Sequence, residues 1–191
     1  QGWMAASSAL ARTSKGDAPH IILLPEVIFN QQKFLSKVKD VVKQKGYCVI
    51  VTSEGVKSAK GKFLAESNTK DAFGHTQLGG VAPYLASLIT KKLKLKNHWA
   101  VSDYLQRSAR HIASKTDLLH AEAVGVHAIK YAIQGMNGVM PVIVRGKSTK
   151  YTWKIEPSPL SKIANVEKKL PKSYISMDGF NVNSKAIAYL R

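Results

Sequence analysis

The chain has 191 residues, of which 45% are hydrophobic and 21% are charged, so it can bury an apolar core but is too short for more than one or two domains. Its 29 Lys and Arg against 12 Asp and Glu give a formal net charge of +17, which attracts anions such as nucleic acid, acidic lipid or phosphorylated metabolites. The single cysteine, Cys48, excludes a disulfide framework within the chain, and no apolar run is long enough to span a membrane. Together with the absence of a signal-peptide pattern, these features predict a cytoplasmic protein without a membrane partner.

The sequence "QGWMAASSALART" begins without Met and already has the composition of a helix, which indicates a fragment of a longer protein. Residues 19–24, "PHIILL", form a continuous apolar run typical of a parallel strand covered on both faces. Asn30 can cap the following amphipathic helix, which Gly46 should stop. A second run, "YCVIVT" at residues 47–52, completes a strand-helix-strand unit whose two strands should be parallel.

The remaining elements follow in chain order. Residues 56–76 have no sustained period and predict a long loop, whereas residues 79–95 fit a helix whose end carries "KKLKLK". The segment that starts at Asn97 predicts a short strand leading into a polar turn, and residues 116–134 predict a long helix with Thr116 as its cap. The strands "VMPVIVR" and "YTWKIE" should pair antiparallel through the "GKST" turn, and short helices are expected at residues 158–166 and 182–190.

Three residues together have the chemistry of a sugar-phosphate site. Ligands of open α/β sheets lie beyond the carboxyl ends of the strands, and Glu54 stands at such an end. A sugar phosphate needs an acceptor for its hydroxyls, which Glu54 offers, and a guanidinium and a phenol for its phosphate, which Arg107 and Tyr104 offer. The histidines have no zinc-like spacing, so no metal site is predicted. The lysines of "KKLKLK" leave a basic nucleic-acid-binding module as an alternative, although no stacking aromatic residues alternate with them.

Five segments in this order resemble the long, bacterial-type pyrophosphate-dependent 6-phosphofructokinases over nearly the whole chain: "PHIILLPE", "VIVTSEG", "DAFGHTQLGG", "SDYLQRS" and "KIANVEKKLP". The resemblance implies an α/β fold with an open, mainly parallel sheet flanked by helices. It implies that Glu54 binds the fructose hydroxyls, and that Tyr104 and Arg107 bind the 6-phosphate. His98 stands where the family carries Arg or Lys for a neighbouring subunit's phosphate, so His98 or Lys96 is the candidate there. Asp103 replaces the small residue that the family has before Tyr104.

The resemblance also implies what lies outside this sequence. The donor-phosphate loop and the catalytic Asp of the family occur upstream, so no catalytic residue is expected in this chain, which should be inactive alone. Residues 1–107 are expected to form the sugar-phosphate domain and residues 108–191 to return to the missing N-terminal half. The implied activity is phosphoryl transfer from pyrophosphate to the 1-hydroxyl of fructose 6-phosphate in glycolysis, with Mg²⁺ held in the missing half. A homodimer or homotetramer is expected, without a specific nucleic-acid partner. An ATP-dependent phosphofructokinase remains the second alternative.

Overall fold

The computed structural model describes residues 2–14, 16–64, 66–70, 76–78 and 80–191, and the side chains of residues 66–70, 76–78, 106 and 107 fall outside its description. Its regular elements, in chain order, are α1 (Gly2–Ser7), β1 (Ile21–Leu23), α2 (Gln31–Lys45), β2 (Ile50–Thr52), β3 (Glu66–Lys70), β4 (Thr76–Leu78), α3 (Val81–Leu93), α4 (Leu105–Ser108), α5 (Lys115–Ile133), β5 (Val139–Arg145), β6 (Trp153–Pro159) and α6 (Ser184–Leu190). Single 3₁₀ turns occupy Ser8–Ala11, Arg110–Ile112, Leu160–Lys162 and Lys172–Tyr174. None of the described helices is long and apolar enough to cross a membrane.

The chain divides into two compact units. The first unit comprises Gln1–Val101 and Lys169–Arg191, and the second comprises Ser102–Lys168. This division differs from the predicted boundary at residue 107, because the C-terminal segment belongs to the first unit. There Leu170, Val182 and Ala186 are buried in a cluster that also contains Ile22 of β1. The domain organisation of the whole protein stays a prediction.

The first unit confirms the predicted strand-helix-strand arrangement. Strands β1 and β2 pair in parallel, with Ile21 opposite Ile50 and Leu23 opposite Thr52. The N-cap side chain of Asn30 accepts a hydrogen bond from the Lys33 amide at 3.0 Å, so it satisfies one of the free N–H groups at the start of α2. Gly46 ends the helix at φ 80°, a left-handed conformation that glycine adopts without steric cost.

The side chains of β1 are buried on both faces, as its continuous apolar run predicts. Alternate residues of a strand face opposite sides of a sheet. Accordingly, Ile22 and Leu24 pack with buried residues of α1 and α6, while Ile21 and Leu23 pack with Phe34 of α2 and with buried residues of α3. The parallel pair is therefore the centre of an α/β arrangement with helices on both faces.

Three local expectations are wrong. The predicted loop at residues 56–76 contains the strand Glu66–Lys70, which pairs antiparallel with β4. Residues 97–101 form no strand in the structure, although they contain Trp99 and Val101, two residue types that favour strands. The cap of α5 is Ser114 rather than Thr116, because its hydroxyl accepts a hydrogen bond from the Asp117 amide at 3.0 Å.

The second unit consists of helices α4 and α5 and the β5–β6 hairpin. The two strands pair antiparallel from Val139 opposite Pro159 to Arg145 opposite Trp153, as predicted. The Tyr151 hydroxyl lies 3.2 Å from His120 Nε2, which joins the hairpin to α5. No side chain described between Ser102 and Lys168 is buried.

Candidate functional site

Glu54 stands in a turn directly after β2, at the carboxyl end of the parallel pair. Its side chain is exposed, and it makes no hydrogen bond or ion pair with any residue that the structure describes. An exposed carboxylate at this edge is available to accept hydrogen bonds from a polar ligand. The structure thus places Glu54 where the strand-helix-strand pattern predicts it.

The turn that carries Glu54 is anchored on both sides. The Ser53 amide donates to Leu23 O at 3.1 Å, which extends the contact between β1 and β2 by one residue. The Ser53 side chain is 6% exposed, and its hydroxyl oxygen accepts from the Gly55 amide at 3.3 Å. Val56 is buried and its carbonyl accepts from the Leu64 amide at 3.0 Å. Glu54 is therefore the exposed residue of a short segment whose neighbours are fixed.

Lys96 and His98 flank Asn97, whose side chain joins their segment to α3 by hydrogen bonds. The Asn97 side-chain amide donates to Thr90 Oγ1 at 2.8 Å and to the carbonyls of Ala86 and Leu95, both at 3.2 Å. Lys96 and His98 are both exposed. Both side chains extend into solvent from an anchored segment.

Tyr104 and Arg107 belong to the second unit. Tyr104 is 68% exposed and precedes α4, where its carbonyl accepts from the Ser108 amide at 3.0 Å. The backbone of Arg107 lies within α4, three residues after Tyr104, and its side chain is outside the described part. Glu54, Lys96 and His98 lie in the first unit, so the structure groups the five candidates as three and two.

Asp103 has a role that the sequence interpretation missed. Its φ is 45°, one of the positive values found at non-glycine residues of the described chain. Asp and Asn tolerate the left-handed region better than most residues. An Asp before Tyr104 is therefore compatible with the backbone turn that leads into α4.

A cleft of about 270 Å³ lies beside the carboxyl end of β1. Residues of β1, of the start of α2 and of the turn near Gly179 line it, together with Val56, whereas Glu54 is not among its lining residues. Asp178 is one of its lining residues, and Asp178 Oδ2 lies 2.9 Å from Lys37 Nζ. Partial burial tends to raise the pKa of Asp178, but hydrogen bonds from Ser176, Lys37 and the Phe180 amide outweigh it and lower this pKa overall. The charge of Lys37 is thus partly neutralised by Asp178.

The described residues contain no group of three or more His, Cys, Asp or Glu side chains arranged to hold a metal ion. Cys48 is also unsuited to nucleophilic chemistry, because burial raises the pKa of its thiol to about 11. Among the candidate residues, the described side chains are an exposed carboxylate, a phenol, an ammonium group and an imidazole, which can hydrogen-bond to polar ligands.

The first unit is an α/β arrangement with an exposed carboxylate, that of Glu54, at the carboxyl end of its parallel strands. The family model for phosphofructokinase matches residues 1–132. The chain belongs to the phosphofructokinase family.

Several similar proteins are named as pyrophosphate-dependent enzymes. The chain is 52% identical over 189 residues to the pyrophosphate–fructose 6-phosphate 1-phosphotransferase of Xanthomonas campestris pv. campestris, an alignment that covers 98% of this chain and 45% of that protein. The crystal structure of the pyrophosphate-dependent phosphofructokinase of Nitrosospira multiformis matches with a TM-score of 0.80 and 47% identity, over 99% of this chain and 44% of that chain. The corresponding Marinobacter aquaeolei structure matches with a TM-score of 0.80 and 44% identity, over the same shares. The chain spans about half the length of these relatives.

Proposed function

We propose that this chain is the sugar-phosphate-binding half of a pyrophosphate-dependent 6-phosphofructokinase that acts in glycolysis in the cytoplasm. The observation that carries the proposal is the exposed Glu54 in an anchored turn at the carboxyl end of β2. The names of relatives 44–52% identical to the chain support the choice of fructose 6-phosphate as acceptor and pyrophosphate as donor.

In this proposal Glu54 accepts hydrogen bonds from the fructose hydroxyls, while Tyr104 and Arg107 bind the 6-phosphate. The acceptor's O1 forms a bond to phosphorus, the bridging P–O bond of pyrophosphate breaks, and inorganic phosphate leaves. The proton of the 1-hydroxyl passes to a carboxylate base in the upstream half. Phosphoryl transfer depends mainly on positioning and charge stabilisation, and this chain supplies the positioning of the acceptor.

The upstream half would supply the donor loop, the catalytic Asp and the site for Mg²⁺, which neutralises the charge of the phosphates when bound. The described residues of this chain contain no group of three or more His, Cys, Asp or Glu side chains that could hold a metal ion. A homodimer or homotetramer in which Lys96 or His98 reaches a neighbouring subunit's substrate also belongs to the proposal.

The test is steady-state kinetics of the complete enzyme with Glu54→Gln and Arg107→Ala. A hydrogen bond to a charged group contributes about 1.5–3 kcal/mol, so each change should raise KM for fructose 6-phosphate by roughly 10- to 100-fold. KM for pyrophosphate should stay within about twofold, because neither side chain is assigned to the donor. The matched controls are Asp40→Asn, an exposed carboxylate on α2, and Arg110→Ala, an exposed residue three positions after Arg107.

Three results would contradict the proposal. The first is an unchanged KM for fructose 6-phosphate in both variants. The second is activity with ATP that exceeds the activity with pyrophosphate, which would identify an ATP-dependent enzyme. The third is steeply salt-dependent binding of nucleic acid without binding of fructose 6-phosphate, which would favour a basic module built on exposed residues such as Lys91 and Lys94.

A further inference from the structure

Ser53 is a polar residue in an apolar environment. It is the one polar side chain among the buried residues of the described chain, with 6% exposure. Burying a hydroxyl is unfavourable unless it is hydrogen-bonded, and here the Gly55 amide donates to the Ser53 hydroxyl oxygen. The buried Ser53 hydroxyl therefore has a specific partner, the Gly55 amide, which lies on the other side of Glu54.

The contacts of Ser53 fix the backbone before and after Glu54. Its amide donates to Leu23 O at 3.1 Å, which holds the start of the turn against β1. Its hydroxyl oxygen lies 3.3 Å from the Gly55 amide, which closes a side-chain-to-backbone turn around Glu54. The Thr52 hydroxyl donates to the Ser53 carbonyl at 3.2 Å, but this contact lies on the strand side alone. Ser53 thus makes one hydrogen bond to β1 before Glu54 and another to the Gly55 amide after it.

Glu54 has no side-chain partner of its own among the described residues. The position of Glu54 and the direction in which its side chain leaves the chain, along the Cα–Cβ bond, are consequently set by the backbone of the turn. We propose that Ser53 is a positioning residue that orients Glu54 towards the hydroxyls of the sugar phosphate. This inference rests on the proposed function, and it adds a residue that does not itself touch the substrate.

The experiment is kinetics of the complete enzyme with Ser53→Ala and with Ser53→Cys, which keeps the shape of the side chain but replaces the oxygen by a larger sulfur, a weak acceptor. Loss of one hydrogen bond should raise KM for fructose 6-phosphate by about three- to tenfold, with kcat and KM for pyrophosphate within about twofold. Thr52→Val is the matched control, because it removes the neighbouring hydroxyl and leaves the Gly55 contact in place. We expect it to leave KM unchanged.

A double-mutant cycle with Glu54→Gln separates the two proposals. If Ser53 acts through Glu54, Ser53→Ala should change KM by less than about twofold in the Glu54→Gln background. Ser53→Ala and Ser53→Cys variants that lower the thermal midpoint without raising KM would show a structural role and overturn the inference. An equal rise in KM in both backgrounds would overturn it as well. If Glu54→Gln leaves KM unchanged, the role that the proposed function gives to Glu54 fails, which is a different result.

Discussion

The two units of the chain differ in how much of their apolar surface they cover. The first unit contains two clusters of buried side chains, one on each face of β1. In the second unit no described side chain is buried, although it contains a 19-residue helix and a hairpin of two seven-residue strands. Ile133 is 81% exposed, Ile112 is 76% exposed and Ile129 is 63% exposed.

This difference shows that regular secondary structure and a stable core are separate properties. Burial of apolar surface contributes about 25 cal/mol per Å², and a hairpin with one helix gains little from it unless an apolar face is covered. The first unit gains this stabilisation from its own two clusters of buried side chains. We therefore expect the stability of the second unit to depend on a covering surface, which the upstream half of the proposed enzyme would supply.

The largest expected effect comes from removing a core side chain of the first unit. Phe34 is fully buried in the cluster between β1 and α3, so Phe34→Ala should lower the free energy of unfolding by about 3–5 kcal/mol. Ile129→Ala in the second unit should change it by less than about 0.5 kcal/mol, because this side chain is already exposed. Urea titration of the 191-residue chain measures both values. Equal losses would show that the comparison between the units is wrong.

Hydrogen exchange should reveal the same difference without a mutation. Amides in the middle of α5 should exchange at least about 100-fold faster than those in the middle of α2, since local opening is easiest where few apolar contacts are buried. Addition of the upstream half should slow exchange in α5 and leave α2 nearly unchanged. Similar rates in the two helices of the isolated chain would contradict this expectation.

The parts of the fold that the sequence predicts well are those with local physical causes. The helix α2 follows from its apolar spacing and from Asn30 and Gly46, whose capping conformations are properties of those residues. The strand at Glu66–Lys70 could not be found in this way, because its polar sequence has no alternation and its pairing with β4 is a tertiary feature. The packing of the C-terminal segment in the first unit likewise depends on contacts between residues far apart in the sequence, which local patterns do not predict.

Prediction of the candidate site from the sequence is limited in the same way. The position of Glu54 is predicted, because the carboxyl ends of parallel strands are where ligands of such folds bind. Tyr104 and Arg107 depend on the family resemblance for their roles, since an exposed phenol and a guanidinium have many uses. The hydrogen bonds that Ser53 makes on both sides of Glu54 cannot be predicted from the sequence, because a serine before a glutamate at a strand end is a common turn residue. Only the burial of its hydroxyl and its contact with the Gly55 amide reveal them.

The helix caps offer a matched pair for a finer comparison. Asn30 caps α2 and Ser114 caps α5, and each side-chain oxygen lies 3.0 Å from an amide of its first turn. Asn30→Ala should lower the free energy of unfolding of the first unit by about 1 kcal/mol. Ser114→Ala should instead accelerate exchange at the start of α5 and leave the urea midpoint of the first unit unchanged. A shift of that midpoint by Ser114→Ala would mean that the units unfold together.

The smallest expected effect is a pH dependence confined to the first unit, and it comes from His20. The Val49 amide donates to His20 Nδ1 at 3.0 Å, so the neutral ring carries its proton on Nε2 and a second proton would have to face the Val49 N–H group. Burial lowers the pKa of His20, the charges of Lys45 and Arg12 lower it further, and Asp17 opposes them. The unfolded chain therefore binds this proton more readily than the folded chain.

The stability of the first unit should accordingly be fully retained above about pH 6.5, the ordinary pKa of histidine, and should decrease as the pH falls below that value. His20→Gln removes the titrating group, so its urea midpoint should change less between about pH 7 and pH 5 than that of the unaltered chain. The comparison must be made within each protein, because the substitution also alters the contact with Val49. An identical pH dependence in the two proteins would assign the effect to another group. A rise in stability on acidification would show that His20 is stabilised in its charged form, contrary to the hydrogen bond from Val49.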